Sequence, residues 1–288
     1  MWTDSRQQAY STITAHWIDS NWQLKSHVIC TDLFNPTQRK TGVNLKAHIL
    51  ESLSKFGISS DLLSKCIFTT DKGSNIVLAL RNEERLDCIN HVINRVLQHS
   101  LEEKQCPDSI TSLLKSCKGL VRYVKTNSIQ NILQKSIKQS CDTRWNSTYT
   151  MLDSIKTQYE DLVRVFTEHK PRELHRITSI DLDLLNELLH FLEPFLHATK
   201  ACEGEKEPTI HLVIPWITKL KRHCEVVDTD SDSLVAFKEK AATYLDEKFT
   251  PHLIHKTAVF FNPKQKSMRV LTPSDRKLVT DHICEQLS

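Results

Sequence analysis

Ile67-Phe68-Thr69-Thr70-Asp71-Lys72-Gly73-Ser74-Asn75-Ile76-Val77 is the stretch that decides the fold. Its first half, rich in Ile, Phe and Thr, reads as a buried strand. The strand ends on the carboxylate of Asp71, a Gly-containing turn follows, and a helical stretch begins near Asn75. A carboxylate at the end of a central strand is where nucleases hold a divalent cation. The same residue also serves simply to close the next turn with its own side chain.

Working outward, Tyr10 to Ile18 alternates, with Ile13, Ala15 and Trp17 on one face and Thr12, Thr14 and His16 on the other. Asp19-Ser20-Asn21 makes a turn and Trp22 to Cys30 returns as a second strand, so the pair is a predicted β-hairpin. Leu45, Ile49, Leu53 and Phe56 then recur at helical spacing, and Gly57 is placed to end that helix. The order β-β-α-β-α predicts a mixed α/β core. Beyond about Cys88 only helical periodicity remains, with Val92, Ile93, Val96 and Leu97 on one face. Helices are expected within Leu113–Val124, Ile129–Ile137, Tyr149–Phe166, Leu182–Leu196, Ile210–His223 and Leu234–Phe249. The acidic run Asp228 to Ser233 reads as a solvated loop. The fold class is therefore α+β.

Composition narrows the function. The 38 Lys and Arg against 35 Asp and Glu produce no global field that would commit the chain to nucleic acid or membrane. Five glycines in 288 residues suit a mostly helical protein, and nine scattered cysteines suit a reducing, intracellular compartment. No apolar run reaches the roughly 20 residues of a membrane span, so no membrane partner is expected. Gly-rich phosphate loops, G-x-S-x-G and H-E-x-x-H are all absent, which removes the common hydrolase, kinase and dinucleotide-enzyme signatures.

Three local patterns carry candidate chemistry. Between Asp108 and Asp142 there is no acidic residue, while Lys115, Lys118, Arg122, Lys125, Lys135 and Lys138 are basic. The first four fall along one helical face opposite Leu114, Cys117, Val121 and Val124, so they either track phosphates or form an ordinary solvated face. In Thr143-Arg144-Trp145-Asn146-Ser147-Thr148-Tyr149, Trp145 either stacks on an unpaired base while Arg144 holds a phosphate, or anchors a helix start against the core. Cys88 and His91 have the spacing of two metal ligands, half of a zinc site, or else join a strand end to a helix.

Taken in order, these motifs resemble the hAT superfamily of DNA transposases, nearest its hobo/Hermes branch and its domesticated, BED-type zinc-finger relatives. The resemblance runs through Trp2-Thr3-Asp4, Ile13 to Ile18, Thr69 to Val77, Cys88-x-x-His91, Cys117 to Lys125, Thr143 to Leu152 and Ala258-Val259-Phe260-Phe261-Asn262-Pro263-Lys264. It implies a ribonuclease-H-like core over residues 1–92, followed by a large all-helical insertion domain over residues 93–288. It also implies Mg²⁺ or Mn²⁺ held by three carboxylates, in two-metal chemistry with the ions about 3.5–4 Å apart. Asp71 matches the second carboxylate and Trp145 a base-stacking Trp. The DNA-binding set would be Lys115, Lys118, Arg122, Lys125, Arg144, Trp145 and Asn146; Cys88 and His91 match a pair that is structural or metal-binding.

The first carboxylate is expected two residues before Trp2 and the third beyond Ser288. With Asp71 alone no cofactor is expected, and the leading reading is a nuclear, catalytically inactive, transposase-derived protein that keeps a grip on DNA. Two alternatives stand beside it: a fragment of an active cut-and-paste transposase, and a helical protein-interaction module, with protein partners or self-association in place of nucleic acid.

Overall fold

Alternation in the N-terminal segment becomes an antiparallel ribbon. The computed structural model describes the chain apart from Met1, Ser5, Glu103, Asp142 and Glu205, and apart from the side chains of Trp2 and Ser60. The ring of Trp2, and Asp142 at the boundary of the acid-free stretch, thus lie outside the described residues. Strands β1 (Trp2–Thr3), β2 (Ala9–Ile18) and β3 (Leu24–Leu33) form one sheet in that order. In the β2–β3 turn, Asp19 Oδ1 accepts the N–H groups of Asn21 and Gln23, both at 2.9 Å. A bulge between Ile13 and Thr14 shifts the register from Ile13–Cys30 to Thr14–Val28.

Helix α1 (Gly42–Ser54) is capped by Thr41, whose hydroxyl accepts Asn44 N–H. Gly57 follows in the left-handed region at φ +71°, where a side chain would be strained, and the helix stops before it. Leu45 and Leu53 are buried, but Phe56 lies past the helix end and is 55% exposed, so it does not share their face. After the short α2 (Ser60–Leu63) comes β4 (Phe68–Thr70), then α3 (Ser74–Ala79) and β5 (Arg85–Asp87). β4 and β5 pair in parallel, with Thr70 opposite Asp87, and α3 lies in the crossover that a parallel pair requires. The predicted buried strand is only three residues long and half-buried. Among the described residues this pair is not joined to the three-stranded sheet.

All later regular elements among the described residues are helical: α4 (Ile89–Ser100), α5 (Asp108–Thr126), α6 (Trp145–Thr157), α7 (Tyr159–His169), α8 (His175–Thr178), α9 (Leu182–Cys202), α10 (Val213–His223), α11 (Asp232–Lys248), α12 (Leu253–Phe261) and α13 (Pro273–Leu287), joined through short 3₁₀ turns. Two expectations are corrected. Ile129 to Ile137 is a single 3₁₀ turn followed by coil. Its apolar residues Ile129, Leu133 and Ile137 insert into the core, but its backbone is held by side chains of other elements. Asp161 accepts Gln134 N–H at 2.9 Å, Gln158 accepts Lys135 N–H at 3.1 Å, and Ser154 accepts Lys138 N–H at 2.9 Å. With those donors satisfied, no intrahelical ladder is needed.

The predicted helix from Tyr149 to Phe166 also divides in two, at Gln158, because that residue turns its buried amide toward Lys135.

Buried side chains form two clusters. The smaller contains Ala9, Phe34, Leu45, Ala79 and Leu80, beneath α1 and α3. The larger runs from Ile89 to Val279 through every long helix from α4 onward, with Phe191, Phe195 and Phe237 at its centre. The acidic loop before α11 is not wholly solvated. Asp230 accepts the buried Lys238 ammonium at 2.8 and 2.7 Å, because a charge inside the helical body needs a partner.

Candidate nucleic-acid interface and the Asp71 turn

The C-terminal ends of β4 and β5 bring together a charged cluster. Asp71 is exposed, and its Oδ1 accepts Gly73 N–H at 2.9 Å, the local turn closure that its sequence also allowed. A Cβ at Gly73 would come within 3.0 Å of that oxygen, so the tight closure favours glycine there. Arg85 donates to Thr70 Oγ1 at 3.1 Å and to the Asp71 carbonyl at 3.3 Å, and pairs with Asp87 at 2.6 Å. Lys72 takes the second Asp87 oxygen at 3.1 Å and donates to the Lys248 carbonyl at 2.6 Å, tying the turn to the end of α11.

As a cation site these groups offer few open oxygens. Both oxygens of Asp87 are matched to cations and one oxygen of Asp71 closes its turn. Among the described residues no group of three or more His, Cys, Asp or Glu side chains is arranged to hold a metal ion. Mg²⁺ or Mn²⁺ requires several oxygen ligands, and the donors present do not fit either ion.

Cys88 continues β5, its N–H donating to the Thr70 carbonyl at 2.7 Å, and caps the start of α4. Burial pushes its thiol up, but the neighbouring His91 side chain and N–H outweigh it and hold the thiol below its ordinary value. The hydrogen bond to Cys88 raises His91 in turn, against its own burial and with help from the Asp71 charge. Cys106 and Cys117 are different: burial pushes their thiols up to about 11 and about 12. Cys88 at the end of β5 and His91 in the first turn of α4 thus influence each other electrostatically, and among the described residues no group of three or more His, Cys, Asp or Glu is placed to hold a metal ion with them.

Lys115, Lys118, Arg122 and Lys125 all lie exposed on α5, while Leu114, Cys117, Val121 and Val124 face the core. Lys125 also donates to Gln139 at 3.1 Å. Beside this face a cavity of about 420 Å³ opens between α4, α5 and the start of α6. Its lining includes Arg95, His99, Lys118, Arg144 and Trp145, and Glu102 also stands on its wall.

Trp145 is 2% exposed and is the first residue of α6, its N–H donating to Asn94 Oδ1 at 3.1 Å. Of the two readings of Trp145, this burial and the Asn94 bond fit an indole that anchors the helix start, and the same residue lines the cavity. Arg144 stands exposed just before it, at the rim. Asn146 is half-buried, and its Oδ1 has no hydrogen-bond partner among the described residues. The fold adds Arg95 to this group and Lys72, Arg85 and Asp87 to the Asp71 turn. The one signal for the latter was the Arg85-x-Asp87 spacing, which puts both charges on one strand face.

Residues 1–96 match the ZBED1 RNase-like domain family, covering the α/β segment and most of α4. With the helices that follow, this defines a mixed, mostly helical protein carrying a ribonuclease-like segment. The chain is 28% identical over 266 residues, 91% of its length, to the transposable element Hobo transposase of Drosophila melanogaster. It is 23% identical over 279 residues, 96% of its length, to zinc finger protein 618 of Mus musculus and of Homo sapiens. It spans 39% of the Hobo transposase and 28% of zinc finger protein 618. These likenesses place the chain beside hAT-family transposases and their domesticated relatives, to a part of which it is similar.

Proposed function

We propose that this chain is the DNA-gripping body of a nuclear, hAT-derived protein and does not cut DNA by itself. The observation that carries the reading is the joining of the α5 cationic face to the cavity lined by Arg95, Lys118 and Arg144 over the Trp145 ring. Basic side chains along one helix match a phosphate backbone, and the cavity volume lies within the roughly 300–1,000 Å³ of small-ligand clefts. A base swung out of the helix would enter beside Trp145, with Arg144 on its phosphate. Support for the absence of cutting is the Asp71 turn, where both Asp87 oxygens are ion-paired and one Asp71 oxygen closes the turn, leaving too few oxygens for a hard cation. We read the chain as a ribonuclease-H-like core over residues 1–92 and a helical insertion over residues 93–288; the two buried clusters support such a division, with Ile89 and Val92 already packed in the helical one.

The test is titration of the full chain against fluorescent duplex and hairpin DNA across salt, with and without Mg²⁺. Salt-sensitive, Mg²⁺-independent binding that favours the hairpin is expected. Strand cleavage that depends on Mg²⁺ would restore the enzyme, and no binding by folded protein would leave a protein-interaction module.

A further inference from the structure

Between Glu247 and Asp275 the chain has no acidic residue, and its cations are Lys248, Lys256, Lys264, Lys266 and Arg269. Lys256 is matched to Asp275 at 2.7 Å, and Lys248 lies over the Tyr244 ring. Lys264, Lys266 and Arg269 are exposed and make no ion pair among the described residues.

These three sit on a built loop rather than a loose one. Asn262 Oδ1 accepts Lys264 N–H at 3.1 Å, and the N–H groups of Gln265, Met268 and Leu271 each donate to a carbonyl three residues back. Met268 takes the left-handed conformation at φ +48° while burying its side chain to 8% exposure. A non-glycine residue holds that conformation only where its surroundings enforce it, and here the buried thioether does so. The loop is thereby pinned inward at Met268 and Leu271, and its three cations point outward.

Phe261, the last residue of α12, stands at the entrance to this loop. It is 66% exposed, its ring edge-on to Phe260 at 5.3 Å. An aromatic face left in water and flanked by unmatched cations suits an unpaired base with its neighbouring phosphates. Duplex bases, already stacked on one another, offer no such face.

We infer that Phe261 with Lys264, Lys266 and Arg269 forms a second DNA contact surface, one that takes single-stranded DNA. The inference rests on the proposed DNA-binding reading but not on the α5 face. It is tested on the full chain with fluorescent oligothymidine and with duplex. Phe261→Ala should weaken oligothymidine binding roughly fivefold or more and leave duplex binding nearly unchanged, while Phe261→Tyr should retain it. Lys264→Glu, Lys266→Glu and Arg269→Glu together should lower the single-strand salt slope by about 2, at about 0.7 per phosphate. All these side chains are exposed, so circular dichroism should stay unchanged. Wild-type binding that neither set of variants alters overturns the inference and leaves the α5 reading standing. A wild-type chain that binds no DNA of any kind removes both.

Discussion

Reversing Arg122 and Lys125 to Glu is the perturbation that bears most directly on the α5 face. Lys115 to Lys125 spans ten residues of helix, about 15 Å at 1.5 Å per residue, so all four cations reach one stretch of backbone. If each neutralises one phosphate of a duplex, the face contributes about 3.6 to the slope of log affinity against log salt. Between about 50 and 200 mM salt that share of the affinity falls about 150-fold; with two cations removed it falls only about 12-fold. The double reversal should therefore flatten the slope by about 1.8, and added repulsion should weaken binding further at low salt. Folding is a smaller term. Both side chains are exposed and the apolar face is untouched, while a carboxylate at position 125 near the helix C-terminus disfavours α5 by roughly 0.3–1 kcal/mol. Fluorescence anisotropy at four or five salt concentrations, with circular dichroism as the folding control, decides the matter. A slope unchanged from wild type in a folded variant would refute the phosphate-tracking role of this face.

Removing the carboxylate from the buried pair, Asp230→Asn, should cost about 3 kcal/mol in urea unfolding, the low end of the range for such pairs because Asp230 lies in a surface loop. Burial pushes the Asp230 carboxyl up, but the Lys238 ammonium and Val227 N–H more than offset this and hold it low. Its contribution is therefore complete above the unfolded value of about 3.9 and is lost as pH falls through the folded one. The gap between wild type and variant should close in acid, and a gap constant down to pH 2 would contradict the pairing. Trp145→Ala, which empties a buried site, should destabilise by about 3–5 kcal/mol, so DNA comparisons need Trp145→Phe, for which denaturant unfolding should show a much smaller loss. Iodoacetamide at neutral pH should alkylate Cys88 before Cys106 or Cys117, and His91→Gln should slow it by raising the Cys88 thiol; mass spectrometry showing equal rates in both proteins would exclude the hydrogen-bonded pair.

Much of this architecture was legible where one physical signal dominated. The hairpin followed from alternation broken at Asp19, and α4 and α5 from single apolar faces. β5 escaped notice because Arg85-Leu86-Asp87 has one apolar residue and two charges whose partners, each other and Lys72, only the fold reveals. Ile129, Leu133 and Ile137 imitate a helix because a coil that dips into a core every fourth residue leaves the same trace. The break at Gln158 and the pairing of Asp230 with Lys238 depend on side chains that cross between elements, which periodicity does not register. At the candidate site, Asp71 and the four cations of α5 could be found by type and spacing. The burial of Trp145 was only one of two readings the sequence left open, since Arg144 and Asn146 beside it are polar and suggest exposure.

The coil between Asn131 and Cys141 has a consequence for how such a chain drifts over generations. Its path is written in residues it does not own: Gln130 just before it, Ser154 and Asp161 on two later helices, and Gln158 at the break between them. Its surface letters, Gln134, Lys135, Lys138 and Gln139, are free to be rewritten with little penalty, whereas replacing any of the four scaffolding residues strands a backbone N–H. Among distant kin this stretch should thus be traceable by polar side chains held constant elsewhere, with its own spelling allowed to wander.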